Sequence, residues 1–204
     1  MNELNEYVRE LRNEFPKYYV PDFDPNNGGI HATVLFLFEK PGPKTDPKNK
    51  GSGYISQDND DETARATKYF LEKAGLKRRT IVIWNAIPYW NGTIEITAGE
   101  RRRNSSKALV KLLKILPKVK KIVLVGKEAE NLVSELDLED YHIIRSLHPS
   151  PRNRATRRAE WEEIPTVWAK AQTNIIRKFF YSLRVFYKIF HRSVSILFTN
   201  LKIK

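Results

Sequence analysis

Thr80-Ile81-Val82-Ile83-Trp84-Asn85-Ala86-Ile87-Pro88-Tyr89-Trp90-Asn91 decides the fold class. A β-branched run of strand length ends in a polar residue, and a proline turn follows. Two other segments repeat that grammar. Val34-Leu35-Phe36-Leu37-Phe38 runs into Glu39-Lys40-Pro41-Gly42-Pro43. Tyr141-His142-Ile143-Ile144 leads through Ser146 into Leu147-His148-Pro149-Ser150-Pro151. A fourth apolar run, Lys121-Ile122-Val123-Leu124-Val125, meets Gly126. Helical patterns separate these runs, and strands alternating with helices imply a parallel sheet covered on both faces. The expected architecture is a three-layer α/β/α domain around a central, mostly parallel four-stranded sheet. Open parallel sheets bind ligands where their strands end. Glu39, Asn85 and His148 are therefore candidates for one crevice.

Strands are expected at about 32–38, 80–85, 121–125 and 141–146. Leu4, Val8, Leu11 and Phe15 share one face of a helix over 3–15. Asp60 or Asp61 caps a helix over about 62–74, closed by Gly75. Ser105 caps another through Leu116, stopped by Pro117. Further helices are expected from Gly126 to about 136 and over about 155–173. Residues 1–176 read as one domain. Residues 177–204 differ in character, with seven Lys/Arg, seven aromatics and no acidic residue. They read as a basic, aromatic helical extension that packs on the domain or contacts nucleic acid, a partner or a membrane surface.

The chain has 204 residues, enough for one domain with a real core. Its net charge of +12, from 36 Lys+Arg against 24 Asp+Glu, favours a polyanionic partner. There is no cysteine, so disulfides and thiolate metal sites are excluded. No uncharged apolar run reaches the ~20 residues that a membrane-spanning helix needs. Met1-Asn2-Glu3-Leu4 does not read as a signal peptide. A cytoplasmic monomer without metal or other cofactor is the expectation.

The segment at 146–151 carries the chemistry. A histidine at a strand end, stiffened by two prolines, is a fixed hydrogen-bond donor. Arg152, Arg154, Arg157 and Arg158 follow within seven residues. A rigid donor beside a dense positive field points to chemistry on nucleic acid. Asn85 carries both a donor and an acceptor, which suits reading an amide-like base edge. Glu39 is placed to orient water and to stabilise a cation. Gly42, beside Pro41, lets the backbone approach a ligand closely. Ser150 and its neighbouring amides are candidates to grip a phosphate. Asp58 is an outside candidate for water orientation, although helix capping explains Asp58-Asn59-Asp60-Asp61 better. Trp84, Trp90, Trp161 and Trp168 read as packing residues, with Trp90 the best exception. His31, His142 and His191 read as structural or surface residues.

The Glu39–Pro43 turn, Asn85-Ala86-Ile87-Pro88 and His148-Pro149-Ser150-Pro151, in that order, resemble the uracil-DNA glycosylase superfamily over roughly residues 30–173. The resemblance implies that a nucleotide is flipped out of DNA and its base–sugar bond hydrolysed. His148 would then face a pyrimidine carbonyl oxygen, Asn85 would select the base, and Tyr54 would stack on it. Arg152 and Asn153 occupy the place of the family's wedge into the base stack. Several branches of the family carry aspartate or asparagine before the motif proline, where this chain has Lys40. Lys40 is thus a candidate to hold a phosphate, to pair with Glu39 or to act as an amine nucleophile. The expected activity is removal of uracil or a modified pyrimidine from DNA. Two alternatives stand beside it. One is excision of a bulky modified base, such as those of phage genomes, in antiviral defence, with the long loop at 43–58 reshaping the pocket. The other is a catalytically silent DNA-binding module on the same fold.

Overall fold

The computed structural model describes residues 3–102 and 105–172; the basic extension expected at 177–204 lies outside them. The elements run α1 (Glu3–Glu14), β1 (Asp22–Phe23), β2 (Val34–Phe38), β3 (Tyr54–Ile55), α2 (Glu62–Lys73), β4 (Ile81–Asn85), α3 (Ala98–Arg102), α4 (Ser105–Ile115), β5 (Lys121–Val125), α5 (Lys127–Leu132), β6 (His142–Ser146), α6 (Pro151–Thr156), α7 (Arg158–Glu162) and α8 (Ile164–Ala169). The central sheet has the order β4-β2-β5-β6, and every neighbouring pair is parallel. Phe38 pairs with Asn85 and Val125 with Ser146, so the polar ends of these strands lie along one edge. All five residues of β2 and of β4 are buried, as both faces of the sheet are covered. Edge strand β6 is only partly buried.

Aromatic side chains mark the two layers around the sheet. On one face Trp84 stacks on Phe23 at 3.7 Å and meets Tyr7 of α1 edge-on at 6.0 Å. On the other, Trp168 of α8 meets Phe36 at 4.9 Å and Phe70 of α2 at 5.9 Å. Trp168 also donates from its indole nitrogen to Ser146 Oγ at 2.8 Å, which ties α8 to the end of β6.

Two local expectations are corrected, and one element was missed. The helix expected at 155–173 begins earlier, at Pro151, and breaks into three. Ser150 caps its start by accepting from the Asn153 amide at 3.3 Å. Arg157 leaves helical geometry at φ −137 and ψ 48. Pro165 then lacks an amide donor and opens α8 instead of continuing α7. Helix α5 stops at Leu132, short of 136, and Ser134 Oγ donates to the Asn131 carbonyl in competition with a further turn. A two-stranded parallel pair, β1 with β3, was not legible; two-residue strands carry no periodicity.

Candidate active site

Strand order sets the position of the cleft. The chain leaves β2 toward β4 on one side, whereas β5 leads to β6 on the other. Crevices open at such switch points, beyond the strands' carboxyl ends. A cleft of about 940 Å³ lies there, and its lining includes Glu39, Asn85, Gly126 and His148. Gly126 is the pivot of this group. Its φ of +92 suits glycine, and a Cβ there would lie 3.0 Å from His148 Cβ and 3.6 Å from Glu39 Oε2. The acid and the histidine thus approach the same point because a side chain is missing from it. Gly126 was legible only as a helix opener, since nothing in sequence says which strand ends meet.

Among the described residues, neither the Glu39 carboxylate, the Asn85 amide nor the His148 ring on the cleft floor makes a hydrogen bond. Phe38 meets the His148 ring edge-on at 5.5 Å, and the Asn153 amide donates to the His148 carbonyl at 2.9 Å, which fixes the loop. Burial pushes the His148 pKa down to about 4, so the ring is neutral at physiological pH. Burial pushes the Glu39 carboxyl up, and the nearby Glu128 carboxylate adds to the effect. Gln57, not anticipated from sequence, also lines the cleft. It is buried to 7% exposure, and its amide has no partner among the described residues.

The flanks differ. Lys40 turns its ammonium away from Glu39 to a buried ion pair with Glu100, 2.8 Å away, and donates to the Glu95 carbonyl at 3.0 Å. Glu100 also closes a capping box. It accepts from the Thr97 amide at 2.8 Å, while Thr97 Oγ1 accepts from the Glu100 amide at 3.1 Å. The sequence Thr97-Ala98-Gly99-Glu100 carried that signal. Burial pushes the Glu100 carboxyl up, but Lys40 and the Thr97 donors outweigh it and hold the pKa below the ordinary value.

Pro41, Gly42, Ser150, Arg152, Asn153 and Arg157 line the cleft; Tyr54, Arg154 and Arg158 do not. Tyr54 is 40% exposed, and its neighbour Ile55 faces the cleft instead, because successive strand residues point to opposite sides. The stacking role expected of Tyr54 is therefore corrected. Ser150 Oγ is engaged as the cap of α6. Arg154 lies 5.3 Å over the Trp161 ring, Arg157 pairs with Glu160, and Arg158 pairs with Glu162 at 2.9 Å. Arg152 and Lys44 line the cleft with no side-chain partner among the described residues. Asp58 is held by Arg78 and Lys68 outside the cleft. Trp90 is buried, its backbone bridged to Tyr19.

The model of the Uracil DNA glycosylase superfamily matches residues 25–172. The chain belongs to that superfamily. Its members are usually DNA glycosylases, and they act on DNA. The match spans all four strands of the central sheet and every residue of the floor. No curated protein matches the chain. No helix among the described residues is long and apolar enough to cross a membrane.

Proposed function

We propose that this superfamily member is an active DNA glycosylase, which hydrolyses the base–sugar bond of uracil or a modified pyrimidine flipped into the cleft and leaves an abasic site. One observation carries the reading. A carboxylate and a neutral imidazole approach Gly126 at the sheet's switch point, the Asn85 amide lines the same cleft, and none of the three side chains makes a hydrogen bond among the described residues. Groups of this kind, half-buried to buried and without partners among the described residues, fit a bound ligand better than a structural role. Asn85, with Gln57 also on the cleft wall, offers a donor and an acceptor to the base edge. As the bond between C1′ and the base nitrogen breaks, its electron pair goes to the base. His148 donates to the carbonyl oxygen where that charge gathers, without first taking up a proton. Glu39 as carboxylate favours the cation-like sugar and orients a water, whose oxygen bonds to C1′ while Glu39 receives its proton.

The cleft's volume favours a second reading of the substrate. About 940 Å³ lies near the top of the range for small-ligand pockets, which leaves room for a bulky modified base. The test is base release from oligonucleotides carrying uracil or a panel of modified pyrimidines, in single turnover. His148→Ala should slow release by roughly 10²–10³-fold, the scale of one lost oxyanion donor. Near-normal release from that variant would remove His148 from the mechanism. No release from any substrate by the natural sequence would leave a DNA-binding module.

A further inference from the structure

Among the described residues, one large apolar side chain stands exposed on the cleft. Ile94 is 72% exposed and lines the rim, whereas Tyr54, Tyr69 and Val110 are exposed off the cleft. A lone exposed isoleucine is ordinary on a protein surface. What sets Ile94 apart is the rigidity of the loop beneath it. Asn91 Oδ1 accepts from the Thr93 amide at 3.4 Å, and Thr93 Oγ1 accepts from the Glu95 amide at 3.1 Å. The buried Lys40 ammonium then grips the Glu95 carbonyl, the residue directly after Ile94. Glu100 joins Lys40, Asn91 and Thr97 in one network, with Asn91 Nδ2 at 3.2 Å. A buried ion pair thus holds a short loop whose apolar tip is left in solvent. Burying two charges is costly unless they are well paired, so such a strut marks a loop whose position matters.

We infer that Ile94 is a wedge that enters the base stack when duplex DNA docks on the cleft, with the Lys40–Glu100 network as its strut. The inference rests on the glycosylase reading for its substrate. Flipping a nucleotide leaves a gap, and rigid apolar side chains are suited to opening and filling one. Ile94 follows β4 and Arg152 follows β6, the two edge strands of the sheet. Their loops therefore rise from opposite edges, and both reach the cleft. Isoleucine fills the stack on one side, while the arginine's charge suits a phosphate on the other. Asn153, expected as part of a wedge, is engaged at the His148 carbonyl.

The experiment compares Ile94→Ala with the natural sequence in two readouts. The first is single-turnover base release from the same target placed in duplex and in single-stranded oligonucleotides. Ile94→Ala should slow release from duplex by roughly 10- to 100-fold and leave single-stranded release within about twofold, because a single strand has no stack to open. Ile94→Leu should restore the duplex rate, and Val110→Ala, an exposed apolar change off the cleft, should alter neither. The second readout needs no chemistry. Binding to a duplex with a stable abasic analogue beside 2-aminopurine should raise the probe's fluorescence, and Ile94→Ala should lose that rise. Equal slowing on both substrates, or an undiminished fluorescence rise, would overturn the wedge. A fluorescence rise that needs Ile94 in a protein releasing no base would sink the glycosylase reading and leave the wedge standing.

Discussion

The floor of the cleft and its charged flanks treat polar groups in opposite ways. On the floor, the side chains of Glu39, Asn85 and His148 make no hydrogen bonds among the described residues. On the flanks, Lys40 and Arg157 each hold a carboxylate, and just off the cleft Arg158 holds another and Arg154 covers a tryptophan. Residues 39 and 40 are adjacent in the chain and fall on opposite sides of this division. Adjacency in sequence therefore says little about role. What separates the two is whether the protein has already supplied the partner. On the proposed function, the floor is left for a ligand.

The largest effect should come from Glu39→Gln, which keeps the shape of the floor and removes its charge. Single-turnover base release should fall by about 10²–10⁴-fold, the scale of a lost general base. Stability should move the other way. A carboxyl whose pKa is raised on folding favours the folded chain at pH below its ordinary value of 4.5, and that advantage is lost as pH rises through the folded pKa. At neutral pH the buried charge is a cost, so the glutamine variant should melt higher, by roughly 2–4 °C for each kcal/mol relieved. The pH profile sharpens the point. Natural activity should fall on acidification as Glu39 protonates, above pH 4.5. His148, with its pKa near 4, stays neutral through that range. The acid limb should vanish from the residual activity of Glu39→Gln. A limb that persists unchanged would assign the titration to another group.

Lys40→Met comes next and tests the flank. Removing one partner of a buried ion pair leaves the other charge uncompensated, at a cost of about 3–5 kcal/mol. A lower melting temperature is expected, with part of the loss recovered in the double variant Lys40→Met with Glu100→Leu. The natural pair should also weaken in acid. The Glu100 pKa is depressed by folding, so its contribution is complete above the ordinary carboxyl value and is lost as pH falls through the folded pKa. Base release from single strands should survive in the folded variant. A protein–DNA adduct trapped by borohydride, and absent in Lys40→Met, would move Lys40 from the flank to the floor as a nucleophile.

The division also explains what the sequence could disclose. Parallel strands buried on both faces read as continuous apolar runs, and the residue at which each run stops is fixed by register. Glu39 and Asn85 were legible for that reason, as was the layered fold, whereas His148, after the partly buried β6, was legible from the prolines that flank it. Gly126 was seen but not its meaning, because the meeting of β2, β5 and the His148 loop is a tertiary fact. Gln57 and Ile94 lie in loops with no periodicity. Tyr54 was misplaced because a two-residue strand gives no pattern from which to tell inward from outward. The arginines were visible only as a charge run, and a charge run does not reveal which members are already paired.

The smallest effects should fall on those arginines, and they separate a free cation from a paired one. Each phosphate neutralised adds about −0.9 to the slope of log K against log salt on duplex DNA. Arg152 and Lys44 line the cleft with no side-chain partner among the described residues, so alanine at either should flatten the slope by about one unit. Arg158 is paired with Glu162 off the cleft, and an exposed pair at this helical spacing is worth only about 0.3–0.5 kcal/mol. Arg158→Ala should leave the slope unchanged within error. Arg157 is the intermediate case, since it lines the cleft and pairs with Glu160. DNA would compete with that carboxylate for the guanidinium. Glu160→Gln should therefore steepen the slope by freeing Arg157, but only where Arg157 is intact. Equal flattening by Arg152→Ala and Arg158→Ala would mean that DNA draws on the whole segment regardless of pairing. The contrast between floor and flank would then hold for the chemistry alone and not for binding.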